Sequence, residues 1–120
     1  MSAAEEGAAD PKLVAAAKTT KDLDELVQLI RTGLGRAKPW QRQLAARLGD
    51  IDGLMQVMRL TIAMDKPDVE IVASAEAVAG ACRRAAASLA GSRADYPALQ
   101  AVALVGDLGE RLRSALNTLT

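Results

Sequence analysis

The tightest constraint in this chain is one apolar stripe. Trp40, Leu44, Leu48, Ile51, Met55, Met58 and Ile62 recur every three or four positions without a miss. That spacing follows the α-helical turn of about 3.6 residues, whereas a strand would alternate by two. Pro39 stands just ahead of the stripe, where its fixed φ and missing N–H suit the first turn of a helix. The pattern predicts one helix over residues 39–65. A stripe that long stays in water unless the elements around it are long too.

The remaining stretches read the same way. Ile71, Ala75, Val78, Cys82, Ala86 and Leu89 form a second stripe, opened by Asp65-Lys66-Pro67 and stopped by Gly91, which predicts a helix over 67–90. Asp95-Tyr96-Pro97 opens another, carried to the end of the chain on Leu99, Val102, Val105, Leu108, Leu112, Ala115 and Leu119. Upstream, Leu23, Leu26, Val27 and Ile30 define a shorter helix over 22–34, with Asp22 and Glu25 spaced like a capping box and Gly33 and Gly35 as left-handed terminators. Asp10-Pro11 is a further helix start, and 11–18 adds an Ala-rich turn or two. Residues 1–9 are small and acidic and are expected to form a disordered tail. Residues 10–120 make a single domain. The fold class is all-α: an antiparallel, up-and-down four-helix bundle with a short first helix, in which the Ala-rich helix 67–90 allows close backbone approach. Gly49 and Gly53 weaken the middle of helix 39–65 and open the way to a kink there.

Composition supports helix and excludes much chemistry. The chain has 25 Ala and 16 Leu, no Phe, one Trp and one Tyr, and Ala and Leu head the helix scale. There is no His, which removes the commonest general base and metal ligand and any Ser-His or Cys-His nucleophile. The single cysteine, Cys82, cannot pair internally; on the apolar stripe of its helix it reads as a core residue, and it points to a reducing, cytoplasmic setting. The acidic start lacks the basic-then-apolar order of a secretory signal, and no stretch reaches the ~20 apolar residues of a membrane span. Asp50-Ile51-Asp52-Gly53 opens like a calcium loop. Leu54 and Thr61 then stand where oxygen ligands are needed, so Asp50 and Asp52 are expected to cap or kink the helix. No metal and no cofactor is expected, and no catalytic set is present.

Two resemblances bear on function. Arg47-Leu48-Gly49-Asp50-Ile51-Asp52 is similar to part of the first helix of the helical chorismate mutases. That likeness implies a small enzyme holding an anionic metabolite among converging Arg and Lys side chains. Gln41–Gly49, with Gln41-Arg42-Gln43-Leu44-Ala45-Ala46-Arg47-Leu48-Gly49, resembles the first helix and turn of helix-turn-helix repressors, which implies nucleic-acid binding through the helix that follows. Residues 51–64 in that place hold nine apolar residues out of fourteen, with only Gln56 and Arg59 able to read a base edge. So greasy a helix suits a core or an interface better than a major groove.

Net charge is zero, yet the charges are segregated. Residues 31–47 carry five bases and no acid, while 48–80 carry Asp50, Asp52, Asp65, Asp68, Glu70 and Glu76 against two bases. Folding the chain antiparallel collects Arg36, Lys38, Arg42, Arg47, Arg84 and Arg93 at one end, a surface expected to dock an anionic partner. A second expectation concerns helix 39–65. Beside the core stripe lies another seam, Leu54, Val57 and Met64, with only Asp52, Gln56 and Arg59 as a polar strip. A first helix of half length cannot cover that seam, so it is expected to pair two copies into a homodimer. The function expected is a non-enzymatic helical-bundle interaction module: an adaptor, small regulator or assembly subunit with a protein partner. The alternatives are a helix-turn-helix-like nucleic-acid-binding regulator and a small helical enzyme acting on an anionic metabolite.

Overall fold

A computed structural model describes residues 11–117 as four α-helices: α1 (Pro11–Gly33), α2 (Pro39–Ala63), α3 (Asp68–Leu89) and α4 (Tyr96–Leu116). Among the described residues there is no strand. The helices form a ring in chain order. Each packs on its two neighbours, α1 closes against α4, and neither diagonal pair comes into packing range. Short connections at 34–38, 64–67 and 90–95 reverse the chain each time, so this is an antiparallel four-helix bundle. One end gathers the first and third connections, and the other holds the α2–α3 turn.

The stripes become the core. Leu44, Leu48, Ile51, Met55 and Met58 of α2 are fully buried, with Trp40 and Ile62 packed at the stripe's two ends. Leu23, Val27, Val78, Leu89, Val102, Leu112 and Leu116 complete the interior. Each large aliphatic side chain taken out of water there contributes about 1.5–3 kcal/mol. The closest contact in the ring is between α3 and α4 and the loosest between α1 and α2. Ala75, Ala79, Ala81, Cys82 and Ala85 line the buried side of α3, so its neighbours approach closely, as the Ala-rich sequence predicts. At Gly109 of α4 an added Cβ would sit 2.7 Å from Cys82 Cβ and 3.4 Å from Ala79 Cα, a space only glycine fits.

Several local expectations need correction. The first helix is not short: α1 is continuous over Pro11–Gly33, a length close to that of the others. Ala16 and Thr20 extend the buried face of Leu23 and Val27 by a full two turns, and the Thr20 hydroxyl donates to Ala16 O at 2.7 Å, so its burial leaves no polar group unmet. Asp22 is therefore an interior helical residue paired with Lys18 at 3.2 Å, not a cap. Gly33 and Gly35 are not left-handed. Among the described residues the positive φ values belong to Asp65 (54°) and Gly91 (77°). Gly91 thus ends α3 as expected, while at the end of α2 the turn is made by Asp65, a residue type that tolerates this region. α2 runs unbroken through Gly49 and Gly53. At α4 the cap is as read: Asp95 Oδ1 accepts from Ala98 N at 3.0 Å. Leu116, rather than Ala115, completes the buried stripe of α4. The tail 1–9 and Leu119 lie outside the described residues.

Candidate interaction face

The sides of α2 are assigned by its partners. Asp52 pairs with Arg31 at 3.5 Å and accepts from Gln28 Nε2 at 3.0 Å; Arg59 pairs with Asp24 at 3.3 Å. Asp50 and Asp52 lie in the interior of α2 and cap neither of its ends. The polar strip that looked like the water-facing side of this helix is the seam against α1. These pairs are part-exposed, so each contributes at most about 1 kcal/mol, but together they fix which side α1 occupies.

The outward side is consequently apolar. Val57 is 53% exposed, Leu60 61% and Met64 62%. Leu54, the third residue of the expected seam, is half-buried and packs against the core instead. Just past the turn, Val69 of α3 is 64% exposed. The full-length α1 does not close this face because it lies on the other flank of α2. The half-length first helix expected from the sequence is thus not the reason Val57 and Met64 are exposed, and Leu60 is exposed beside them. The signal for Leu60 was its spacing, three beyond Val57 and four before Met64.

Toward the N-terminus the same outward face continues through Gly53, Gly49 and Ala46. A Cβ added at Gly49 or Gly53 would meet nothing within 4 Å. Helix-interior glycine costs about 1 kcal/mol relative to Ala, so two of them on an open face are unexplained by packing within the chain. A shallow groove beside them is lined by Asp50, Leu54, Val57 and Arg84.

That groove corrects the expected basic end. Arg84 runs back along α3 toward Gly80, the direction helical side chains take, and lies mid-bundle rather than at the end. Arg42 donates from Nη1 to Arg36 O at 2.8 Å and Ala37 O at 3.1 Å, satisfying the connection that precedes α2. Arg47 is half-buried on α2. Arg36, Lys38 and Arg93 remain exposed near the first and third connections. None of the six docking residues forms an ion pair with a described acid. At the far end Asp65, Asp68 and Glu70 are exposed around the α2–α3 turn, with Lys66 among them. The acidity is confined to that corner, because α1 brings Lys12, Lys18 and Lys21 to the same end.

Other chemistry is sparse. Burial pushes the Cys82 thiol up to about 12, with Arg83 pulling weakly the other way, so the thiolate needed for nucleophilic work is suppressed. Glu110 bridges Arg113 and Arg83 across α3 and α4, and its hydrogen bond with Arg113 holds its carboxyl below the usual range. Among the described residues no three His, Cys, Asp or Glu gather as metal ligands, and no helix is long and apolar enough to cross a membrane. No family model, curated protein or solved structure matches the chain.

Proposed function

We propose that this chain is a non-enzymatic helical-bundle interaction module, cytoplasmic, that works through the outward face of α2 and assembles as a homodimer. The observation that supports it is the contiguous apolar set Val57, Leu60 and Met64, all more than half exposed on a helix whose opposite side already fills the core. Exposed apolar clusters on soluble chains usually mark a partner surface, and Met adapts readily to what it meets. Neither alternative has comparable support. The basic side chains a metabolite would need do not converge on one cavity, and residues 51–64, in the place of a recognition helix, carry the core of the bundle.

The test compares wild type with Val57→Glu, a change at an exposed position that leaves the helical circular-dichroism signal intact. Light scattering reads self-association, and capture from native lysate with mass spectrometry reads other partners. Loss of either on Val57→Glu supports the module. Identical masses and identical captured proteins for the two chains refute it. Salt-dependent retention on a nucleic-acid column, or a thermal shift with small anionic metabolites, would favour the corresponding alternative.

A further inference from the structure

We infer that the occupant of this face is a second copy of the chain, with the two α2 helices crossing antiparallel at Gly53 so that the basic end of each copy docks on the acidic corner of the other. The inference rests on the module reading above, takes up its homodimer and adds the register and the charge pairing.

The outward face of α2 is divided by size. Its N-terminal half is small, Ala46, Gly49 and Gly53; its C-terminal half is large, Val57, Leu60 and Met64. An antiparallel two-fold pairing centred on Gly53 brings together residues equally distant from it. Gly49, four residues before, meets Val57, four residues after; Ala46 and Leu60, seven away on either side, also meet. Large side chains enter the spaces left by small ones, which is the arrangement dense packing requires. The two glycines at the crossing let the backbones approach closely, which accounts for residues that the single chain has no packing use for. A parallel pairing would set large against large and leave the small half unfilled.

The charges agree with that register independently of shape. Arg42 is eleven residues before Gly53 and Met64 eleven after, so the first turn of α2 in one copy meets the α2–α3 turn of the other. Lys38, fifteen residues before Gly53 and with Arg36 beyond it, then faces Asp65 and Asp68, at a level about 22 Å from the crossing by the helical rise. Helices crossing at about 20° are still only about 11–13 Å apart there, within reach of Lys and Arg stems. The exposed cations of the basic end form no ion pair with a described acid, Asp95 beside them being taken up as the cap of α4, and the partner's corner supplies acids for them. The anionic partner and the apolar seam thus become one interface, closed by symmetry.

Sedimentation velocity on the full chain at low ionic strength tests this. Wild type should dimerise in the micromolar range. Gly53→Leu, a better helix former placed where the single chain has open space, should keep or raise the melting temperature of the monomer yet weaken the dimer at least about tenfold. Lys38→Glu and Asp68→Lys should each weaken it, and the two combined in one chain should restore it. Positions 38 and 68 lie at opposite ends of the bundle, so that restoration can only occur between copies. A wild type that stays near 12.5 kDa at every concentration overturns the second copy. If such a monomer still loses a captured protein on Val57→Glu, the interaction module survives without its homodimer. A dimer indifferent to Gly53→Leu, or a combined charge reversal no better than the single ones, overturns the register.

Discussion

Replacing Gly109 with Ala isolates the closest contact in the bundle. The new Cβ would stand 2.7 Å from Cys82 Cβ, 2.9 Å from its Sγ and 3.4 Å from Ala79 Cα. Carbon atoms pack best at about 3.5–4.0 Å, so α3 and α4 must part or slide by the better part of an ångström. Rotation of a side chain cannot relieve it, because Cβ moves only with the backbone. Overpacking of a dense core costs about 1–3 kcal/mol, and a backbone-proximal clash belongs at the upper end. Ala gains about 1 kcal/mol over Gly in helix propensity, leaving a net loss of about 2 kcal/mol. For a domain of this size that is a fall in Tm of roughly 6–10 °C. The same substitution at Gly49, with nothing within 4 Å, should instead stabilise by up to about 1 kcal/mol.

Urea unfolding of both variants at low protein concentration measures the contrast, about 3 kcal/mol between chemically identical changes. A double-mutant cycle locates the cause. Cys82→Gly in the Gly109→Ala background should recover at least about 1 kcal/mol relative to additivity, whereas Cys82→Ala, which keeps the offending Cβ, should recover less. If Gly109→Ala is as stable as Gly49→Ala, the close α3–α4 approach described here is wrong.

Three further outcomes are expected. Ala16→Asp should destabilise by about 3 kcal/mol or more, because it puts a charge into the buried face of the first half of α1; a neutral result would restore a helix that begins only at Asp22. A disulfide reagent should fail to react with Cys82 at pH 8 until the chain is unfolded. Because the thiol is raised in the fold from an ordinary value near 9.0 to about 12, its contribution is complete below pH 9 and is lost only as pH rises from there toward 12. Dialysis against a strong chelator should leave Tm unchanged, and a drop of several degrees would show that the acidic side chains hold a metal.

How far the sequence reveals the molecule depends on which interactions carry a periodic signature. Large aliphatic side chains do, and the stripe from Trp40 to Ile62 maps onto the core residue by residue. Ala and Thr do not. Ala16 and Thr20 are as buried as any leucine, yet Ala is equally at home in water and Thr reads as polar until its hydroxyl is seen bonded to Ala16 O. For that reason 11–18 reads only as an Ala-rich turn or two, and its burial and continuity with 22–34 do not show in the sequence. Long cations fail differently: counting residues along two helices puts Arg84 beside Leu48, but its side chain extends about a turn back along α3 and ends in the Gly49–Val57 groove.

The face of α2 shows a third kind of limit. Each of its flanks could be closed by a neighbour, one through apolar contact and the other through ion pairs. Hydropathy alone favours burying Val57 and Met64 and wetting Asp52 and Arg59. The fold does the reverse, because α1 brings Asp24, Gln28 and Arg31 to meet that polar strip. Complementary charges on α1 and α2 select the flank, and the apolar set is left outside as a consequence. A chain free to choose could have stabilised itself further by placing polar residues at 57, 60 and 64, where nothing in the fold needs an apolar one. That Val, Leu and Met stand there, on the same face as two glycines with equally little internal purpose, favours a helix shaped for something beyond its own bundle.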